Sequence, residues 1–209
     1  MSRGRFITLE GPEGSGKTTA ARHLAEWLRG RGIDTVLTHE PGGTPLGEEI
    51  RRIVLHLRGV SDDLDLRTDA LLYAASRAQH VARIIRPALE RGEWVVCARF
   101  IDSSLAYQGH GYGNDLDELR RLQAFATGGL RPDLTVLLDV PVEVGLGRKR
   151  HGAWNRFEDS EGAEFFDRVR AGYLRMAEDD SDRFRVVDGS GSVAAADDAI
   201  REIVERELL

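Results

Sequence analysis

Residues Gly11-Pro12-Glu13-Gly14-Ser15-Gly16-Lys17-Thr18 fit the pattern G-x-x-x-x-G-K-[ST] at every fixed position. They follow an apolar, strand-like run, Phe6-Ile7-Thr8-Leu9. They open a helical pattern, Thr18 to Arg29, in which Ala21, Leu24, Ala25 and Leu28 share one face. Strand, glycine-rich turn and helix in that order form the setting in which this pattern binds phosphate. Backbone N–H groups converge on a polyphosphate there, and the helix N-terminus adds a favourable dipole. Lys17 is expected to reach the β- and γ-phosphates, and the Thr18 hydroxyl to bind Mg²⁺. Lysine usage sharpens this reading. Only two of the 29 basic residues, Lys17 and Lys149, are lysines. A compact ammonium therefore stands where the loop requires one, in a chain that otherwise uses the guanidinium fork.

Strand-like and helical patterns alternate along the rest of the chain. Apolar runs occupy Phe6–Leu9, Thr35–Thr38, Trp94–Ala98, Leu134–Val140 and Phe184–Val187. Helical patterns cover about 17–30, 45–57, 67–91, 115–127, 142–151, 162–179 and 193–208. Five short strands separated by helices predict an α/β fold with a parallel sheet covered on both faces by right-handed crossovers. Ligands of such sheets bind beyond the carboxyl ends of the strands. That directs attention to Gly11–Thr18, His39–Gly47, Arg99–Gly113 and the stretch after Asp139. Asp139 itself reads as a strand-end cap or a water-mediated Mg²⁺ contact. Gly109–Asn114 reads as a flexible loop by composition. The polar stretch 148–160 reads either as a mobile cover over the site or as a solvated connection.

A chain of 209 residues suits a single domain spanning 1–209. Its net charge of −6 argues against nonspecific nucleic-acid binding and makes the arginines local anion sites rather than a global field. No apolar run approaches a membrane span, and the N-terminus runs directly into the first strand, so no signal peptide is expected. The lone Cys97 lies in an apolar run, as a small core residue would, and fits a reducing cytoplasm. His23, His56, His80 and His110 show no metal-ligand spacing and receive no role.

The segments at the other strand ends narrow the function. They are His39-Glu40-Pro41-Gly42-Gly43-Thr44-Pro45-Leu46-Gly47-Glu48 with Arg51, Ser76-Arg77-Ala78-Gln79-His80, and Arg99-Phe100-Ile101-Asp102-Ser103-Ser104-Leu105-Ala106-Tyr107-Gln108-Gly109. With "GGLRPDLTVLLDV" and "EFFDRVRAGYL", these segments resemble the thymidylate kinases nearly end to end. The combination of "EPGGTP" with "DSSLAYQG" is the specific part. The resemblance implies a P-loop nucleoside monophosphate kinase fold, a five-stranded parallel sheet with a lid at about 148–160. It implies ATP and Mg²⁺ as cofactors, thymidine monophosphate as the partner molecule, thymidine diphosphate as product, and a homodimer.

It also implies roles. Gly11, Pro12, Glu13, Gly14, Ser15, Gly16, Lys17, Thr18 and Thr19 would hold the donor. Arg51 and Arg99 would hold the acceptor phosphate, for which bidentate guanidinium pairing is suited. Arg148, Arg150 and Arg156 would close over the transferring group, Arg156 foremost. Tyr73 would stack on the base and Arg77, one turn later on the same helix, would donate to a thymine carbonyl. Ser104 would sit at the pyrimidine edge, Tyr107 against the sugar where a 2′-hydroxyl would project, Gln108 beside them, and Glu13 near the 3′-hydroxyl.

The match departs from the family at one strand end. Its members usually read Asp-Arg-Tyr or Asp-Arg-Phe there, and this chain reads Ala98-Arg99-Phe100. Asn155 stands where aspartate is common before the lid arginine. At this level an impaired or inactive nucleotide-binding variant, or a kinase for another pyrimidine nucleotide, stays open beside the leading reading.

Overall fold

The computed structural model describes residues 3–56, 64–149 and 162–209. Five parallel strands form one sheet: β1 (Phe6–Glu10), β2 (Thr35–His39), β3 (Trp94–Ala98), β4 (Leu134–Asp139) and β5 (Phe184–Asp188), in the order β2-β3-β1-β4-β5. Nine α-helical segments among the described residues accompany them. They are α1 (Lys17–Gly30), α2 (Pro45–His56), α3 (Leu66–His80), α4 (Arg86–Glu90), α5 (Ile101–Ser104), α6 (Leu116–Thr127), α7 (Val142–Lys149), α8 (Ala163–Asp179) and α9 (Val193–Leu208). Every expected strand is present, most of them one residue longer than the apolar run.

The three central strands, β1, β3 and β4, are buried on both faces because each alternates between two cores. Ile7, Leu9, Val96, Ala98, Val136 and Leu138 point to one side, against Ala21, Leu24 and Leu28 of α1 and Ile200, Ile203 and Val204 of α9. Phe6, Val95 and Cys97 point to the other, against Val81, Ile85 and Leu89. Leu137 joins the large cluster built on Phe165, Phe166 and Tyr173 of α8. Burying each large aliphatic or aromatic side chain stabilises the fold by about 1.5–3 kcal/mol. β1 lies at the centre with β3 and β4 on either side. The strand order therefore reverses about its carboxyl end, where the glycine-rich loop emerges.

Two segments depart from expectation. The single helix expected over 67–91 is α3, a π-helical turn at Val81–Ile85, and α4. Pro87 lies in the first turn of α4. Proline has no N–H to donate and its ring would crowd the carbonyl four residues back, and a widened turn before it relieves both. Of the stretch expected to be a flexible loop, residues 109–111 are instead held by packing, and 112–114 form a turn and irregular chain. Leu105–Gly111 is π-helical and continues α5. A Cβ at Gly109 would lie 2.4 Å from Leu116 Cδ2, and one at Gly111 would lie 2.6 Å from Phe165 Cε2. These glycines permit close approach of the backbone to α6 and α8.

Candidate active site

β1 delivers the chain to Gly11, whose φ of 145° only glycine adopts without strain. A Cβ there would also sit 2.4 Å from Leu138 O. The loop wraps around the Lys17 ammonium, which donates to Gly11 O (3.0 Å), Pro12 O (2.7 Å) and Ser15 Oγ (3.1 Å). Helices α3, α6 and α9 are capped by Asp65, Asp115 and Ser192. Helix α1 has Gly16 at its N-cap, no side-chain cap and no acid in its first turn. Its first N–H groups and the positive end of its dipole are thus left for an anion. The loop rests on α7 backbone to backbone. A Cβ on Gly145 would approach Glu13 O to 2.2 Å, so glycine is required on the supporting helix as well as in the loop.

The second wall comes from the end of β3. Arg99 is the one non-glycine residue with positive φ (70°) among the described residues. Its N–H donates to Leu9 O at 2.9 Å, tying the turn to β1. Its Nη2 donates to Glu13 Oε2 at 2.6 Å, and its guanidinium lies 5.0 Å from the centre of the Tyr107 ring. Burial works against the charge, but Tyr107, Glu13 and Tyr173 outweigh it and hold the Arg99 pKa well above its ordinary value. On α5 and the turn that follows, Ser103 and Tyr107, and likewise Ser104 and Gln108, are spaced four apart and come to one face. Gln108 Nε2 donates to Asp69 Oδ2 at 3.0 Å.

One cavity of about 410 Å³ joins these parts. Glu13, Gly14, Gly16, Lys17, Thr18, Thr19 and Arg148 line it on the loop side, and Arg51, Tyr73, Arg77, Arg99, Ser104, Tyr107 and Gln108 line the rest. Gly11, Pro12 and Ser15 stand behind, as acceptors for Lys17. Five cationic and two carboxylate side chains face the cavity. A strongly positive cleft in a net acidic chain selects for anions. Arg51 Nη1 donates to Pro41 O (2.9 Å). The Arg148 guanidinium donates to the carbonyls of Gly189 (2.7 Å) and Ser190 (2.9 Å), in the loop after β5. Arg150, Asn155 and Arg156 lie outside the described residues, as does most of the expected lid. Asp139 is a bidentate partner of Arg170 (2.7 and 2.8 Å), and its backbone oxygen accepts from Gly189.

Several buried groups around the cavity escaped sequence reasoning. Glu10 accepts from Phe100 N (2.6 Å), Ser103 Oγ (2.6 Å) and Tyr173 Oη (3.0 Å). Burial, and then the charge of Asp102, push its pKa up against the opposing pull of Ser103, Arg99 and the Phe100 amide. Glu40 accepts from Arg77 Nε (2.7 Å) and pairs with His80 Nδ1 (2.9 Å), whose other ring nitrogen meets Thr38 Oγ1 (2.7 Å). His80, assigned no role from its spacing, is thus part of the frame behind the cavity. A carboxylate directly ahead of the phosphate-binding loop was the visible sign of Glu10. Nothing local marks the Glu40–His80 pair, whose members are 40 residues apart.

Comparison with known proteins agrees with this geometry. The family model described as "Thymidylate kinase" matches residues 9–200. A thymidylate kinase of Pseudomonas fluorescens (strain Pf0-1) is 48% identical over 206 residues, 98% of this chain and 97% of the relative. One from Alkalilimnicola ehrlichii is 50% identical over 205 residues, 97% and 93% of the two chains. The crystal structure of thymidylate kinase from Ehrlichia chaffeensis superposes with a TM-score of 0.80 at 33% identity, covering 97% of this chain and 99% of that one. Loop, cavity and full-length similarity lead to one assignment: the chain belongs to the thymidylate kinase family.

Proposed function

We propose that this chain transfers the γ-phosphoryl group of ATP to thymidine monophosphate, giving thymidine diphosphate and ADP, as one domain. The observation carrying this reading is the single cavity that runs from the uncapped N-terminus of α1, past Arg99 and Glu13, to Tyr73, Arg77 and Ser104. Phosphoryl transfer needs positioning and charge neutralisation more than covalent chemistry. Lys17 and the loop amides would hold the donor phosphates. Arg99 and Arg51 would hold the acceptor phosphate, with Arg99 released from Glu13 as the anion enters. Tyr73 would stack on the base, Arg77 would donate to its carbonyl, Ser104 and Gln108 would border it, and Tyr107 would close the sugar's 2′ side. Glu13, freed from Arg99, would accept from the 3′-hydroxyl. Arg148, with Arg150 and Arg156 beyond the described residues, would cover the transferring group.

Among the described residues no cluster of three or more His, Cys, Asp or Glu could hold a metal by itself. The fit is to an ion that arrives with the nucleotide: Thr18 would supply one hydroxyl, and most of the remaining ligands would come from the nucleotide and water, as Mg²⁺ prefers. When bound, Mg²⁺ would supply charge neutralisation for the transferring phosphates. The inactive-variant reading is not favoured, since Lys17, Arg51 and Arg99 all line one cavity. Steady-state ADP release with ATP and Mg²⁺ is the test. Turnover is expected with thymidine monophosphate and about 10² less efficiently with the ribonucleotide, which carries one extra hydroxyl. No turnover with any pyrimidine monophosphate would refute the assignment.

The chain is also proposed to act as a homodimer in the cytoplasm, where its buried thiol, Cys97, would stay reduced. No helix among the described residues is long and apolar enough to cross a membrane. Helices α3 and α6 pack on one another and expose Leu71 (57%) and Phe125 (87%), large apolar side chains that a second copy would cover. Sedimentation should give a dimer for the native chain and a monomer for Leu71→Glu/Phe125→Glu. A native monomer, or a variant that still dimerises, would exclude this face.

A further inference from the structure

Arg77 is 1% exposed, yet it lines the acceptor cavity. Its planar fork carries five N–H donors. Nε donates to Glu40 Oε2 (2.7 Å), Nη1 to Ser104 Oγ (2.9 Å) and to Gln123 Oε1, and Nη2 to Phe100 O (2.9 Å). Four donors are matched, and one N–H on Nη2 keeps no partner among the described residues. Gln123 belongs to α6, is 3% exposed and stands outside the acceptor cavity. Because an arginine only donates, the Gln123 oxygen must face Arg77. That orientation forces its amide nitrogen away, where it has no hydrogen-bond partner. An apolar side chain of the same volume would avoid this buried, unmatched donor. The glutamine is explained by what its oxygen does for the guanidinium.

We propose that Gln123 is a positioning residue for base recognition: its carbonyl, with Glu40, fixes the plane of Arg77 so that the single free N–H on Nη2 is left for a pyrimidine carbonyl. Without that acceptor a second N–H becomes free on Nη1, and the fork is no longer held on its α6 side. The inference rests on the base-reading role proposed for Arg77, and the experiment separates the two. KM and kcat for thymidine monophosphate are measured for Gln123→Met, Gln123→Glu, Arg77→Lys and the double variant Gln123→Met/Arg77→Lys. Lysine at 77 keeps a charge opposite Glu40 but cannot present a fork.

Gln123→Met should raise KM about tenfold with kcat within about twofold, the signature of lost binding that is uniform along the reaction. Its melting temperature should stay within about 3 °C of the native value. Gln123→Glu, which still accepts from Nη1, should stay within about threefold of the native KM. Gln123→Met should add little in the Arg77→Lys background, as expected of coupled residues. A native KM for Gln123→Met beside a raised KM for Arg77→Lys would overturn the positioning role and leave base reading intact. A native KM for Arg77→Lys would overturn the base reading itself. Equal impairment of the methionine and glutamate variants, or a methionine effect that persists in the Arg77→Lys background, would make Gln123 a packing residue and overturn the inference.

Discussion

Lys17→Ala is expected to lower phosphoryl transfer by about 10³-fold or more while the chain stays folded. Lys17 is 6% exposed, and the hydrogen bonds it gives to Gly11 O, Pro12 O and Ser15 Oγ turn its ammonium inward on the loop. Those acceptors are neutral. A triphosphate offers oxygens carrying full negative charge, whose Coulomb attraction for the ammonium exceeds that of carbonyl and hydroxyl dipoles. In the proposed reaction the ammonium would exchange these partners for phosphate oxygens and would follow the charge that develops as the γ-phosphoryl group moves. Alanine removes that response and leaves two loop carbonyls to water. The cost to stability is about 1–3 kcal/mol, since the loop is also held by Gly14 against Gly145 and by Ser15 N on Pro12 O. Circular dichroism should show native helix content beside the lost activity in a coupled ADP assay. Activity within tenfold of native would mean that the donor phosphates lie elsewhere.

What could be read from the sequence follows from the range of the interactions involved. The alternation of apolar strands and amphipathic helices is local, and so are the loop at Gly11–Thr18 and the four-residue spacing of Tyr73 and Arg77. The fold and many of the residues that line the cavity were therefore legible in the sequence, though Glu40, Pro41, Leu55 and Ser103, which also line it, were not singled out. Residues 109–111 were misread as loop because composition does not distinguish a glycine that gives freedom from one that gives proximity. Only the positions of Leu116 and Phe165 decide that. The buried polar frame was invisible for a related reason. Arg77 meets Glu40 across 37 residues and Gln123 across 46, and each of these polar residues looks like surface until the fold buries it. Gly145 likewise acquires its meaning only from the Glu13 carbonyl beside it.

Ala98→Asp should raise turnover on thymidine monophosphate by about 10²–10³-fold, restoring the carboxylate that related kinases usually carry. Ala98 ends β3, in register with Leu9 and His39, and its side chain belongs to the cluster formed with Ala20, Ala21 and Leu24 of α1. A carboxylate there would stand at the carboxyl edge of the sheet, beside the strand that feeds the phosphate-binding loop, and next in sequence to Arg99. It would orient metal-bound water and steady that arginine. The gain is limited because the nucleophile is a phosphate oxygen. With a second pKa near ~6 the monoester is already largely dianionic at neutral pH, so no general base is needed. Stability should move the other way. Position 98 is only 5% exposed and its surroundings are apolar. An ionised carboxylate placed there is costly until it is paired. The free variant should therefore lose about 1–3 kcal/mol of stability. ATP with Mg²⁺ should recover more of its melting temperature than it adds to the native chain, because tighter binding to the folded state stabilises it in proportion. The rate and the ligand-dependent melting shift report the same carboxylate by independent routes. Equal rates for the two proteins, with equal shifts on adding nucleotide, would show that this chain positions its metal and Arg99 without a charge at position 98.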